Sequence, residues 1–147
     1  MNPDFAEMLA ALSEAGAEFM VVGAHAVSVY ATPRATGDLD IWVRPTPENA
    51  SRVWDALVAY GAPLHELTAE DLVSEDLVFQ IGVAPNRIDI LPGIAGVAFA
   101  RAWPRRTIVE LWGISVPVIG RDDLVSSKRA AGRPRDLADL ADLESSD

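Results

Sequence analysis

At 147 residues, half of them hydrophobic, the chain is long enough to bury one real core and too short for two generous ones, so residues 1–147 are expected to form one domain. It has no cysteine, which excludes disulfides, thiolate metal sites and thiol nucleophiles and leaves oxygen or imidazole to hold any metal, favouring hard cations such as magnesium. The formal charge of −10 argues against a protein that coats nucleic acid through a general positive field. No apolar run suffices to cross a bilayer or direct secretion, so a soluble, cytoplasmic chain without a membrane partner is expected.

The first predicted element is a helix from about Pro3 to Ala15. Asn2 can cap it, Pro3 suits its first position, and Phe5, Met8, Leu9 and Leu12 recur at helical spacing until Gly16. Phe19-Met20-Val21-Val22 reads as a buried strand broken at Gly23, followed by a short helix from Ala24 to Tyr30 that Pro33 closes. Asp38 to Val43 reads as a strand. Thr46-Pro47-Glu48 starts a helix through Val53, Leu57 and Val58, which Gly61 and Pro63 stop. Thr68 opens a short helical or turn segment with Asp71 in the capping-box position. Two strands follow, Leu77 to Val83 and Arg87 to Leu91, joined through Ala84-Pro85-Asn86 in a connection that suits a hairpin.

Beyond the loop marked by Pro92, Gly93 and Gly96, Phe99 to Trp103 suits one helical turn. Thr107 to Trp112 and Ile114 to Ile119, separated by Gly113, read as a hairpin or as two edge strands. Two helices end the pattern, Arg121 to Ala131 and Arg135 to Glu144, divided by Gly132 and Pro134. Positions 101–135 hold eight basic residues against three acidic ones, which reads either as a local anion-binding surface or as a solvated amphipathic face.

The chemistry concentrates in Gly37-Asp38-Leu39-Asp40-Ile41. Asp is disfavoured in strands, and alternate strand residues face the same side, so Asp38 and Asp40 would stand about 6.5–7 Å apart while Leu39 and Ile41 face the core. Two carboxylates so placed repel unless a cation lies between them; the bland alternative is an acidic edge. Arg87-Ile88-Asp89-Ile90-Leu91 repeats the pattern and could complete a cluster of three carboxylates, as two-metal phosphoryl or nucleotidyl transfer requires, or Asp89 could simply pair with Arg87. Upstream, Gly23 and Ala24 sit at a strand-to-helix junction where free amides and the helix dipole favour phosphate, a turn that is also common for purely structural reasons.

The strand ending in Gly23-Ala24, the Asp38-Leu39-Asp40 pair about fifteen residues later and the single Asp89 together resemble the DNA polymerase beta-like nucleotidyltransferase superfamily, particularly its small prokaryotic members of the minimal, abortive-infection and antibiotic-modifying kinds. The resemblance implies an α/β (α+β) fold with a twisted mixed sheet flanked by helices, the C-terminal helices closing the cleft. It also implies a nucleoside triphosphate held with two magnesium ions, manganese substituting, by Asp38 and Asp40, with Asp89 as a third ligand or general base and phosphate contact at Gly23 and Ala24. Most members carry Gly-Gly or Gly-Ser there; Ala24 keeps the amide and loses the hydroxyl. The segment from Lys128 to Leu137 also resembles the ending of small members, which supply a lysine from a helix. Lys128 is the only lysine among the twelve basic residues, which suits a compact ammonium on triphosphate.

Arg34 lies close enough along the chain to Asp38 to reach a phosphate or base, or to make a surface salt bridge. His25 reads as a nucleotide contact or packed structure, and Trp42 as a base-stacking platform or buried packing. Arg133, Arg135 and Asp136 read as part of the site or, at least as well, as a helix-start acid among solvated arginines. No Walker loop, dinucleotide fingerprint, calcium loop or paired histidine metal motif is present. The expected function is transfer of a nucleoside monophosphate to an acceptor hydroxyl on RNA, protein or a small molecule, with homodimers or toxin–antitoxin pairing as compatible assemblies. The competing expectation is a non-catalytic partner, an antitoxin or regulatory subunit that keeps the fold.

Overall fold

In the computed structural model, which describes residues 3–33, 36–82 and 86–146, six strands and six α-helices alternate irregularly along the chain. The order is α1 (Pro3–Glu14), β1 (Phe19–Val22), α2 (Gly23–Tyr30), β2 (Leu39–Val43), α3 (Pro47–Tyr60), β3 (Phe79–Ile81), β4 (Ile88–Leu91), α4 (Phe99–Ala102), β5 (Thr107–Leu111), β6 (Ile114–Val118), α5 (Arg121–Ala131) and α6 (Pro134–Ser145). Short 3₁₀ turns occupy Ala69–Val73 and Trp103–Arg105. The strands form a mixed sheet in the order β3-β4-β2-β1-β6-β5. At its centre β1 is antiparallel to β2; β2 continues parallel to β4 and β1 parallel to β6, and the β3–β4 and β5–β6 hairpins finish the two wings.

The sequence periodicities account for most of these elements. Phe5, Met8, Leu9 and Leu12 are at most 2% exposed, so α1 buries one stripe, which packs beside α3 and against β6. Helix α3 starts where the Thr46 side chain accepts the Asn49 N–H at 3.3 Å, has Pro47 at its first position and ends at Gly61 with φ +91°. Asn49 itself is buried: its Oδ1 accepts from the Glu18 N–H (2.7 Å) and its Nδ2 donates to the carbonyls of Glu18 (2.9 Å) and Arg44 (3.0 Å). One side chain thereby satisfies backbone groups at the ends of both central strands. The Thr68–Asp71 capping box forms as expected, each side chain bonding the other's backbone N–H.

Several boundaries differ from the sequence reading. Strand β3 starts later than the expected Leu77, because the Leu77 N–H is still turned back to the Ser74 carbonyl (3.2 Å), and pairing begins only at Phe79↔Ile90. Asp38 lies just ahead of β2: its N–H is held by the Thr36 hydroxyl (3.3 Å), and the ladder starts with the Leu39 N–H to the Arg87 carbonyl (2.9 Å). Strands β5 and β6 stop at Leu111 and Val118; Trp112 (φ +51°) and Gly113 (φ +81°) form a two-residue hairpin turn whose twist matches the strands. Helix α6 begins at Pro134 rather than Arg135, with the Asp136 carboxylate reaching back to the Arg133 N–H (3.2 Å). The expected cap at Asn2, the expected strand end at Val83 and the connecting residues Ala84 and Pro85 lie outside the described residues. Among the described residues, no helix is long and apolar enough to cross a membrane.

Candidate active site

Strands β2 and β4 pair in parallel with Leu39 opposite Ile88 and Asp40 opposite Asp89. Neighbours in such a pair face the same side, so one sheet face carries Asp40 and Asp89 side by side, while Leu39, Ile41, Ile88 and Ile90 fill the other at no more than 1% exposure. One step earlier, Asp38 and Arg87 flank the start of the ladder. The Arg87 guanidinium lies 3.3 Å from Asp38 Oδ2 through Nη2 and 3.0 Å from Asp89 Oδ1 through Nε. The second approach is close but poorly aligned: neither Arg87 Nε nor Asp89 Oδ1, both buried, makes a hydrogen bond.

Asp40 sits at the centre of this block. Its antiparallel partner across β1 is Val22, and the next residue, Gly23, turns the chain from β1 into α2 with φ +71°. A Cβ on Gly23 would stand 2.9 Å from Asp40 Cγ and overlap its carboxylate oxygen, so the absence of a side chain is what lets the acid lie against the turn. Burial pushes the Asp40 pKa up to about 6, helped by the charge of Asp89 and a hydrogen bond with it and by Asp38, and opposed by Lys128. Helix α2 starts from Val22 with no side-chain cap, so its first-turn amides, including that of Ala24, are left for another acceptor.

The block forms one wall of a cleft of about 460 Å³, bordered also by Gly23 and Ala24 and closed opposite by α5 and α6. From α5, Lys128 reaches Asp139 Oδ2 (3.0 Å) and Asp136 Oδ1 (3.4 Å) on α6. Both acids are nearly inaccessible, at 1% and 3% exposure, and Arg133 holds Asp136 from the other side at 2.6 Å. Burial alone would raise the Asp136 pKa, but the Arg133 hydrogen bond and the Lys128 charge outweigh it and lower the value. Sequence reasoning left Asp136 open between a site role and a helix-start acid, and it missed Asp139; Asp136 does cap the start of α6, and the signal for the pair was two acids three residues apart on the stripe of α6 that also carries the buried Leu143.

The expected cluster of three carboxylates is thus split. Asp40 and Asp89 meet, whereas Asp38 turns to Arg87, and among the described residues no three Asp, Glu or His side chains converge closely enough to hold a metal ion as they stand. The donor set still suits a hard cation: Asp89 Oδ1 is buried without a hydrogen bond, and Asp40 retains its proton to unusually high pH beside it. Lys128 lines the cleft as expected but is engaged by two acids.

Trp42 is 1% exposed and packed edge-on against Phe99 at 5.0 Å, so it belongs to the core and not to a stacking platform. His25 packs against Trp112 (5.1 Å) and Phe5 (5.8 Å); burial lowers its pKa, although the backbone and charge of Asp38 pull the other way. Arg34 lies outside the described residues. Arg133 and Arg135 border the cleft, while Arg105 is committed to the buried Asp123 at 2.5 Å and Arg129 to Glu144 at 3.3 Å.

No family model matches the chain, and no curated protein matches it. Solved structures do. The lincomycin-bound lincosamide antibiotic adenylyltransferase LnuA shares 14% identity at a TM-score of 0.63, over 100% of this chain and 98% of that one. A Thermotoga maritima protein named "putative nucleotidyltransferase" shares 14% identity at a TM-score of 0.60, over 96% of this chain and 92% of that one. Likeness over nearly whole chains at such low identity is a likeness of architecture, and it coincides with the mixed sheet and acid-lined cleft described above. The chain has the nucleotidyltransferase fold.

Proposed function

We propose that the chain is a magnesium-dependent nucleotidyltransferase, moving a nucleoside monophosphate from a triphosphate to an acceptor hydroxyl with release of pyrophosphate. The observation that carries this reading is the in-register pair Asp40 and Asp89 beside the uncapped N-terminus of α2, with Gly23 packed on the Asp40 carboxylate. Asp40 and Asp89 would hold magnesium, with Asp38 joining them. When bound, the metal would neutralise charge on the triphosphate and lower the pKa of the acceptor hydroxyl. The backbone amides of Gly23 and Ala24 would donate to phosphate oxygens, and Lys128 would reach the triphosphate from the opposite wall. Asp89 would take the acceptor proton as the acceptor oxygen bonds to the α-phosphorus and the bond to pyrophosphate breaks, the electron pair leaving with pyrophosphate.

The acceptor class is open to direct assay. The adenylyltransferase neighbour is named for a lincosamide antibiotic, which makes small hydroxylated antibiotics one arm of the screen; RNA and protein in cell lysate are the others. Labelled nucleoside triphosphates with magnesium should transfer label to one of these. D40N should lower that turnover by at least about a thousandfold. Activity of D40N equal to the parent would refute the reading. A second reading, a non-catalytic partner that keeps the fold, is favoured by one observation: Lys128 is tied to Asp136 and Asp139. Calorimetry with ATP or GTP separates the two, since the partner protein would show no magnesium-dependent binding.

A further inference from the structure

The split between Asp38 and the Asp40–Asp89 pair has a physical agent, Arg87. Its guanidinium contacts Asp38 across the strands and Asp89 along its own strand, and so sets one positive charge against two of the three acids on that sheet face. Arginine fits this place because its fork can serve two carboxylates at once and remains charged at any working pH. Yet the grip is loose. The Nη2–Asp38 distance is 3.3 Å, the Nε–Asp89 approach makes no hydrogen bond, and the side chain is 32% exposed to the cleft. The Arg87–Asp38 pair, at 32% and 39% side-chain exposure, is of the kind that holds weakly, so a divalent cation can displace it.

We propose that Arg87 is a positioning residue that acts as a resident counter-ion: it occupies the charge position between Asp38 and Asp89 in the metal-free protein and must withdraw when a divalent cation enters. This rests on the nucleotidyltransferase reading of the carboxylates. Arg87 keeps the acids from repelling one another apart before the cation arrives. Withdrawal releases Asp38 to turn towards Asp40 and Asp89, which brings the three acids together.

The test uses manganese alone as the probe, without nucleotide, and follows the free-ion electron paramagnetic resonance signal with the intact chain and with R87Q. Removing the competing charge should tighten manganese binding by at least about fivefold. A lower melting temperature of R87Q with unchanged manganese affinity would identify Arg87 as merely structural and overturn the proposal, while leaving the nucleotidyltransferase reading intact. If neither chain binds manganese, with or without ATP, that reading fails and the counter-ion role fails with it. Should R87Q not fold, the parent chain decides: its Arg87 Nε–H resonance should shift as magnesium is titrated in, and a resonance unmoved at saturation rejects the displacement.

Discussion

Gly23 concentrates two demands on one position. Its φ of +71° is a conformation that any L side chain adopts at a cost of about 1 kcal/mol or more, and the space where a Cβ would stand is taken by the Asp40 carboxyl. Gly23→Ala is therefore expected to lose about 1–3 kcal/mol in urea unfolding and, on the proposed function, to abolish magnesium binding by displacing Asp40. A variant with parent-like stability and affinity would contradict that account. Asp40 makes a separate prediction through its proton. Its folded pKa of about 6 lies above the ordinary 3.8, so the folded state binds the proton more tightly than the unfolded chain. Without metal, stability should fall as pH rises from about 4 to 6 and remain reduced above, by no more than about 3 kcal/mol. D40N, which carries no charge, should be flatter over that window and more stable than the parent at pH 7.5, a comparison made by denaturant titration in chelator.

Among the elements, the central β1–β2 pair depends on a residue from outside the sheet. Asn49, at the start of α3, makes three hydrogen bonds to the backbone of Glu18 and Arg44 while being only 2% exposed. Asn49→Ala strands those groups, and a loss of about 2–3 kcal/mol is expected. Asn49→Asp should be no better, because it removes both donor bonds. Melting temperatures of the two variants check this, and a change within experimental error in both would show that water replaces the side chain. The sequence showed α3 clearly through Thr46-Pro47 and Gly61, but gave no sign that Asn49 was buried. Its role comes from the approach of β1 and β2, which only the folded chain brings about. Strand β3 was overread for a related reason: Leu77 and Val78 have strand-like side chains, yet the turn at Ser74 still owns the Leu77 amide.

For the molecule as a whole, the carboxylate pair was legible because the period of a strand is two, so Asp38-x-Asp40 and Arg87-x-Asp89 each declare a common face. Their register was not. A one-step slip between β2 and β4 would place Asp89 opposite Leu39 or Ile41, on the other face from Asp40, and nothing in either segment alone prevents it. The buried side chains on the opposite face settle it, since Leu39 and Ile41 stack beside Ile88 and Ile90 only in the observed pairing. The far wall was harder to read. Lys128 stood out as a lone lysine, but its two acidic partners lie on the next helix, and the α5–α6 packing that brings them in depends on the turn at Gly132. In a sequence, an acid at a core position of a helix looks like any other charge.

The sheet order also bears on time. Its centre is bracketed by two parallel pairings, β2 with β4 and β1 with β6, and no short turn can make either. The β3–β4 and β5–β6 hairpins can form early from neighbouring sequence, but neither places Asp40 next to Asp89 nor sets Val22 and Gly23 against the C-terminal helices. Long loops must close first, at an entropic cost that precedes any contact they bring. The cleft is therefore expected to complete late in folding, and a chain with most of its secondary structure already formed would still lack the adjacent carboxylates on which the proposed chemistry depends.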